Sequence, residues 1–203
     1  TRMKLFRKWM LSAAFAAATA GLAVPAAAQE TWKLGTAAMP GTVLYDIVMK
    51  FINDFNAAAG GELKIEYQHV GNEQEMHQQV VRGRLQMGAS SFAGGAIIVP
   101  EGTVFNAPYL WKNDEERAWV TDNHGLPVVK KFYADKGLEL ILVADVGWND
   151  MVCKTACLTP DSLKGQKMRV SPSPASRIVF KQLGSNGVQM PLTEFWPGLQ
   201  SGL

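Results

Sequence analysis

Apolar residues recur along the first half of the chain with the two spacings that distinguish helices from strands. Leu63, Ile65 and Tyr67 alternate with charged residues, which is typical of a strand with one buried face. Between residues 43 and 55 the apolar positions lie one, three and four apart, which places them on one face of a helix: Val43, Leu44, Ile47, Val48, Phe51, Ile52 and Phe55. The pattern therefore predicts a helix followed by a strand.

Elements of both kinds flank this pair. We predict a strand over residues 32–37, a helix over residues 72–84 that starts at Asn72 and Glu75 like a capping box, and a short strand over residues 85–91. Strands that alternate with helices usually pair in parallel through right-handed crossovers, so an α/β fold is expected. The strand ends of such sheets commonly face a ligand crevice.

The second half of the chain continues the alternation. Helices are predicted from residue 113 and over residues 126–135, followed by a buried strand over residues 138–143. We place a crossing between two domains around residues 147–152. Beyond it the pattern predicts a strand around Arg169, a helix over residues 174–183, a strand over residues 188–190 and a last helix opened by Thr193 and Glu194.

Arg169 is the candidate anchor for a ligand. Thr159 is suited to cap a helical turn that Gly165 ends, because glycine adopts a left-handed backbone without steric cost. The strand that follows places Lys167 and Arg169 on one face. A guanidinium offers a flat fork of donors that fits a carboxylate with two parallel bonds. The alternative for Arg169 is a salt bridge at the surface.

The N-terminus predicts export. Residues 1–28 combine a basic start, an alanine-rich apolar run and small residues before a cleavage site, which is the pattern of a signal peptide. These residues carry four basic and no acidic side chains, so their removal changes the formal net charge from +2 to −2. The remaining chain has no basic stripe of the kind that binds nucleic acid, and no further apolar segment long enough to cross a membrane.

Two cysteines and three histidines are the other chemically distinctive residues. Cys153 and Cys157 form either a small local disulfide, which an exported protein permits, or two separate thiols. No second pair of ligands lies near them, so a metal site is not expected. His69, His77 and His124 are scattered and are expected to be surface or hydrogen-bonded side chains.

A catalytic interpretation has little support. Phe92 stands where a nucleophile elbow around Ser90 would need its second glycine. The chain has no glycine-rich phosphate loop of the Rossmann or Walker type. We therefore expect no catalytic residues and no cofactor.

Three segments together resemble one family. They read Leu-Lys-Gly-Gln-Lys-Met-Arg-Val at residues 163–170, Val-Gln-Met-Pro-Leu-Thr-Glu at residues 188–194 and Leu-Gln-Ser-Gly at residues 199–202. They resemble the substrate-binding proteins of TRAP (tripartite ATP-independent periplasmic) transporters, of the dicarboxylate-receptor type, over residues 32–203. The resemblance implies a two-lobed fold like that of type II periplasmic binding proteins, with lobes at residues 29–147 and 148–203. Family chains continue beyond this point, so we expect a fragment with an incomplete second lobe.

The resemblance also implies a ligand site. In that family the Arg that corresponds to Arg169 clamps the carboxylate of an organic acid. The place where a second Arg is usual holds Trp148 and Asn149, which suggests a flat wall and an amide contact or, for Trp148, packing at the hinge. Glu75 is expected either to contact the ligand or to cap its helix. Four further candidates line the predicted cleft: Trp196, or else Phe195, under the ligand, with packing in the helix core as the alternative, and Met39 and Ser90 at strand ends.

The function implied is that of a periplasmic receptor. It would bind a small carboxylate in the cleft between its lobes and deliver it to TRAP membrane subunits, without spanning the membrane itself. Two alternatives stay open: a receptor that reports ligand occupancy to a sensor, and an exported enzyme that uses the same cleft.

Overall fold

The computed structural model describes residues 29–203. The predicted signal peptide falls on residues 1–28 and lies outside the described residues. Residues 31–203 form one compact unit. Two separate sheets with helices around them make up the fold, so the α/β prediction is confirmed.

The first sheet has three strands: β1 (Glu30–Thr36), β2 (Leu63–His69) and β3 (Met87–Ala89). Their order is β2-β1-β3, and β1 runs parallel to β3 with Thr36 opposite Ala89. The strand predicted over residues 85–91 is therefore shorter than expected. Leu85 precedes the ladder and is buried in the core instead.

Three helices follow these strands, namely α1 (Val43–Ala58), α2 (Glu73–Val81) and α3 (Phe92–Gly95). The apolar face of α1 buries Val48 and Ile52 against the sheet, as its spacing predicts. The side-chain oxygen of Asn72 accepts from the backbone N–H of Glu75 and caps α2. Helix α2 packs closely on β3, because a Cβ at Gly88 would lie 2.2 Å from Met76 Sδ.

A long helical stretch packs against α3 through Tyr133, which lies beside Gly95. It consists of α4 (Asp114–Val120), a π turn (Thr121–Gly125) and α5 (Leu126–Ala134), so the two predicted helices are confirmed but joined. A 3-10 helix over Pro100–Asn106 lies between α3 and α4 in the chain. The buried residues Val99, Val129 and Tyr133 form a core of their own here.

The strand predicted over residues 138–143 is wrong. Residues 138–159 contain neither helix nor strand, and Ile141 and Leu142 are about half exposed. A strand needs a neighbour for its backbone hydrogen bonds, and no strand within residues 29–203 pairs with this segment. Its first residues are held by side-chain contacts instead. Leu138 and Leu140 pack on the core around Tyr133, and Asp145 forms a salt bridge with Arg117.

The second sheet has two parallel strands, β4 (Lys167–Val170) and β5 (Asn186–Gln189), joined by α6 (Pro174–Gln182). Ahead of β4, Thr159 and Ser162 cap a 3-10 turn reciprocally, and Gly165 has φ +72°, as predicted. After β5, a 3-10 turn over Leu192–Glu194 leads into α7 (Phe195–Ser201). The last helix therefore starts two residues later than expected, because Thr193 and Glu194 belong to the 3-10 turn.

Candidate functional site

Arg169 is half-buried near the end of β4, opposite Val188 of β5. Its Nε donates to the carbonyl oxygen of Met190 at 3.0 Å, and one terminal nitrogen donates to Ser171 Oγ at 3.4 Å. No carboxylate within residues 29–203 forms an ion pair with the guanidinium. The side chain is thus oriented by the main chain, while its charge has no direct partner in the part of the protein described.

The charge of Arg169 nevertheless acts on a carboxylate across the site. Burial lowers the pKa of Arg169, and the negative charge of Glu73 opposes that effect. Because an arginine pKa lies far above neutrality, the group stays charged throughout the physiological range. Arg169 lies on β4 and Glu73 is the first residue of α2, so this interaction connects two parts of the fold that are far apart in the chain, which we call the two sides of the site.

Glu73 is fixed by two hydrogen bonds from one residue. Its Oε1 accepts from the backbone N–H of Ser91 at 2.7 Å, and its Oε2 accepts from Ser91 Oγ at 2.8 Å. The carboxylate lies so close to the start of α3 that a Cβ at Gly94 would be 2.2 Å from Oε2. The glycine is therefore part of what makes room for the acid.

His77 lies one turn after Glu73 on α2 and is only 6% exposed. Its Nδ1 is 2.9 Å from the carbonyl oxygen of Glu73, and its Nε2 is 3.3 Å from Ser90 Oγ. A carbonyl oxygen only accepts, so Nδ1 carries the hydrogen and Nε2 bears the lone pair. Burial lowers the pKa of His77, partly offset by its contact with Glu73, which favours the neutral ring.

Tyr133 of α5 closes this group of polar residues. A Cβ at Gly95 would lie 2.7 Å from the Tyr133 hydroxyl and 3.3 Å from His77 Nε2, so both polar atoms border the same small space. Burial raises the pKa of Tyr133, and the charge of Glu73 adds to that shift. The phenol is therefore a neutral donor or acceptor at physiological pH.

The residues predicted from the sequence occupy different surroundings. Ser90 belongs to the polar group at the end of β3, beside His77. Glu75 is exposed on α2, where its carboxylate accepts from Gln79 and its backbone N–H is capped by Asn72. Met39 is 44% exposed in the loop after β1, and only its carbonyl oxygen is engaged, by Thr42.

The other predicted residues are mostly exposed. Trp148 is 62% exposed, and it and Asn149 lie in the irregular segment that precedes the second sheet. In α7, Trp196 is 68% exposed and its ring centroid is 5.5 Å from that of half-buried Phe195. None of these side chains hydrogen-bonds to Arg169 in the described part of the chain.

Cys153 and Cys157 form a disulfide with their Cα atoms 6.2 Å apart. The bridge closes a small loop in the irregular segment, next to Trp148 and Asn149. Among residues 29–203, no group of His, Cys, Asp and Glu side chains is arranged to hold a metal ion. No helix in the same range has the length and apolar character needed to cross a membrane.

Comparison with known proteins now identifies the family. The sequence model of the protein family "bacterial extracellular solute-binding protein, family 7" matches residues 34–203. The chain belongs to this family. It is 30% identical over 163 residues to the 2,3-diketo-L-gulonate-binding periplasmic protein YiaO of Escherichia coli K12, covering 76% of this chain and 49% of YiaO. It is 29% identical over 195 residues to the ectoine/5-hydroxyectoine-binding periplasmic protein UehA of Ruegeria pomeroyi, covering 94% of this chain and 58% of UehA.

Solved structures of solute-binding proteins share the fold. A TRAP periplasmic solute-binding protein from Xanthobacter autotrophicus with bound β-D-galacturonate superposes with a TM-score of 0.78 at 24% identity, covering 84% of this chain and 58% of that one. Another, from Sulfurospirillum deleyianum with bound succinate, gives a TM-score of 0.73 at 22% identity, covering 86% and 58%. The family resemblance inferred from residues 163–202 is thus confirmed. This chain spans about half the length of the relatives it matches.

Sequence reasoning missed Glu73 and His77. Both lie on α2, four positions apart and therefore on the same face. The capping pattern drew attention to Glu75, whereas Glu73, at the first helical position, is the carboxylate that turns toward β3 and Arg169. One signal in the sequence could have indicated them. Glu73 and His77 are one helical turn apart, on either side of the buried Met76 in the chain.

Proposed function

We propose that this protein is an extracytoplasmic receptor that binds a small carboxylate-bearing solute at Arg169 and delivers it to TRAP membrane subunits. The single observation that carries the proposal is the state of Arg169: half-buried, charged, oriented by Met190 and without an ion-pair partner among residues 29–203. A buried charge is costly unless a partner compensates it, so the site favours an anion. The family match and the relatives named for bound acids support the same class of ligand.

The physical basis is a charge-assisted hydrogen bond in a partly desolvated place. Such a bond contributes about 1.5–3 kcal/mol net, and a guanidinium with free terminal N–H groups can make two in parallel. An uncharged solute of the same size would leave Arg169 desolvated and unpaired. Selectivity for acids therefore comes as much from rejecting neutral solutes as from attracting anions.

The ligand would lie between the two sheets, with β4 and β5 on one side and the ends of β1 and β3 on the other. We propose Arg169 as the anchor, with Ser90 on the facing edge. Trp148, Asn149 and Trp196 are exposed enough to meet a solute and remain candidates, as do Phe195 and Met39. Glu75 is better explained as a helix residue, since its carboxylate bonds to Gln79.

We also retain the two-lobed organisation, with residues 29–147 and 148–203 in separate lobes, as a proposal. Closure of such lobes over a ligand would bury it and present a changed surface to the membrane subunits. The protein would act by reversible binding and not by turnover. Recovery of the ligand chemically unchanged after prolonged incubation is the expected result.

The test is thermal shift of the full-length protein against a panel of acids, including D-glucuronate, D-galacturonate, succinate and 2,3-diketo-L-gulonate. Ligand at a hundredfold excess over its dissociation constant stabilises the folded state by about 2.7 kcal/mol. Arg169→Ala should abolish the shift, whereas Arg177→Ala, a matched change of an exposed arginine on α6, should preserve it. No stabilisation by any acid, or an unchanged shift in Arg169→Ala, would overturn the proposal.

A further inference from the structure

Two serines at the end of β3 have their hydroxyl protons directed into the protein. Ser91 Oγ donates to Glu73 Oε2 at 2.8 Å. Ser90 Oγ has two acceptors within reach, namely His77 Nε2 at 3.3 Å and the carbonyl oxygen of Ser91 at 3.2 Å. A serine hydroxyl has a single proton, so in each residue that proton is committed to a protein acceptor.

His77 determines the direction of the hydrogen bond with Ser90. Its Nδ1 must donate, because the group it contacts is the carbonyl oxygen of Glu73, 2.9 Å away. The neutral ring can then only accept at Nε2. Both hydrogen-bond partners of the Ser90 hydroxyl among residues 29–203 are therefore acceptors.

What remains outward at this edge is a set of acceptors. Ser90 Oγ keeps its lone pairs, Ser91 Oγ keeps one beside the bond that it accepts from Gly94, and each carboxylate oxygen of Glu73 accepts one bond from Ser91 and has capacity for another. Groups of this kind accept from O–H or N–H donors and disfavour a second carboxylate, because like charges repel and no proton is available between them. Arg169, on the opposite side, has only donors. The two sides of the site are thus chemically complementary to different ends of one solute.

We infer, on the basis of the proposed function, that the site selects a hydroxylated monocarboxylate, with the acid on Arg169 and hydroxyl donors on the Ser90–Ser91 edge. In this arrangement His77 is a positioning residue that sets the specificity of the edge by holding the Ser90 proton inward. The site would bind unsubstituted carboxylic acids and simple dicarboxylates more weakly.

The charged and titratable neighbours of His77 make the device sensitive to pH. Glu73 lies on its own helix, Tyr133 reaches it from α5, and Arg169 acts on Glu73 from β4. Protonation would make Nε2 a donor, so Ser90 would accept from His77, and its own proton would be shared between the carbonyl oxygen of Ser91 and the ligand. The edge would then tolerate a carboxylate better, and discrimination between the two classes of acid should fall at low pH.

The first experiment compares matched probes by isothermal titration of the full-length protein. D-glucuronate and cyclohexanecarboxylate share a six-membered ring and one carboxylate but differ in ring hydroxyls, and succinate adds the simple dicarboxylate. We expect D-glucuronate to bind at least about tenfold tighter than either, equivalent to about 1.4 kcal/mol. The preference should shrink between about pH 7.5 and about pH 5, the range over which histidine charge changes matter.

Substitution of His77 is the second experiment. His77→Asn keeps a donor for the Glu73 carbonyl oxygen but removes the acceptor for Ser90, and it should reduce the preference for D-glucuronate by about 3–10-fold, the effect of one hydrogen bond. It should also remove the pH dependence of that preference. His69→Asn changes an exposed histidine at the end of β2 and should leave both unchanged.

Each outcome decides something different. Succinate or cyclohexanecarboxylate binding as tightly as D-glucuronate would overturn the inference and leave an acid receptor standing. An unchanged preference in His77→Asn would remove His77 from the specificity of the edge. Absence of binding by every acid in the panel would overturn the proposed function and this inference with it.

A measurement without ligand keeps the inference testable if His77→Asn does not fold. Long-range ¹H–¹⁵N correlation of the unmodified protein identifies which ring nitrogen carries the hydrogen. The hydrogen is expected on Nδ1. A ring protonated on Nε2 at neutral pH would make Ser90 an acceptor from the histidine and would overturn the inference directly.

Discussion

The two sides of the candidate site are built with very different amounts of support. Glu73 at the start of α2 and Ser90 and Ser91 at the end of β3 rest on a three-stranded sheet with two buried clusters, and the buried His77 contacts both Glu73 and Ser90. Arg169 stands on a sheet of two short strands whose helix α6 has no fully buried residue. The acceptor edge is therefore fixed by its packing, whereas the orientation of the cation depends on two hydrogen bonds, to the Met190 carbonyl oxygen and the Ser171 hydroxyl. Local opening should begin on the side of Arg169, where fewer apolar contacts must break.

The sharpest test of this contrast is to remove the same side chain from both sides. Met76 of α2 is fully buried against β1 and β3. Met190 is 7% exposed and packs beside α7. We expect Met76→Ala to lower the free energy of unfolding by about 2–5 kcal/mol, and Met190→Ala to cost clearly less, because its surroundings can collapse. Chemical denaturation of the full-length protein measures both. An equal or larger loss for Met190→Ala would contradict the contrast.

Gly94→Ala tests how tightly the acidic edge is packed. The new Cβ would lie 2.2 Å from Glu73 Oε2 and 2.4 Å from Glu73 Cβ, so the glutamate must move. Overpacking of this kind costs about 1–3 kcal/mol of stability. Gly71→Ala is the matched control, because nothing lies within 4 Å of its added Cβ. Similar denaturation curves for the two variants would show that the edge is looser than described.

Removal of the disulfide should have a smaller effect that is local to the irregular segment. The bridge joins residues separated by 4 positions, and the chain-entropy model gives at most about 2 kcal/mol for so small a loop. Replacing both cysteines by serine should therefore leave the protein folded. Hydrogen exchange should quicken around Trp148 and Asn149, with the strands of the first sheet unaffected. Global unfolding on reduction would show that the bridge supports more than its own loop.

The buried histidine predicts how stability changes with pH. The pKa of His77 is lowered in the folded state from 6.5, so below about pH 6.5 the unfolded chain binds a proton that the folded protein does not. Stability should then fall as the pH decreases, by at most about 1.4 kcal/mol per pH unit for one such group, until the folded protein is protonated too. The difference between wild-type and His77→Asn denaturation curves isolates this contribution.

The smallest expected effect concerns a contact between the two sides. Thr193 Oγ1 donates to the carbonyl oxygen of Gly71, just before α2, at 2.8 Å. Thr193→Val removes the donor while keeping the shape and should cost about 0.5–1.5 kcal/mol. Thr193→Ser retains the hydroxyl and serves as the control. Identical stabilities for Val and Ser at this position would mean that the hydrogen bond makes no net contribution.

Local signals in the sequence were sufficient where a single segment determines its own structure. The helix α1, the alternating strand β2 and the turn from Thr159 to Gly165 follow from spacing, capping and glycine conformation, and all are present. The segment 138–143 failed because an apolar run becomes a strand only beside a partner, and pairing is not a local property. No pattern within the segment reveals whether that partner exists.

The site was harder to predict because it depends on which face of a helix meets which neighbour. Glu73 and Glu75 are two residues apart and point to opposite sides of α2, so only the packing of α2 on β3 distinguishes them. Half of the predicted capping box is present: Asn72 accepts from the backbone N–H of Glu75, but the Glu75 carboxylate accepts from Gln79. For His77 the sequence left a surface or a hydrogen-bonded side chain open; the structure shows the second, but nothing in the sequence shows that Tyr133 and Ser90, far apart in the chain, enclose it.

The hydrogen bond from Arg169 Nε to Met190 has a consequence for what could replace this arginine. Its nitrogens have different roles: Nε donates to the main chain and sets the angle of the fork, while the terminal nitrogens, one of which also donates to Ser171 Oγ, keep N–H groups for an anion. A lysine has a single nitrogen, so the carbonyl oxygen and the anion would compete for the same ammonium group. The carbonyl oxygen of Met190 thus sets the angle at which the guanidinium meets an anion. A lysine would supply the same charge without this fixed angle.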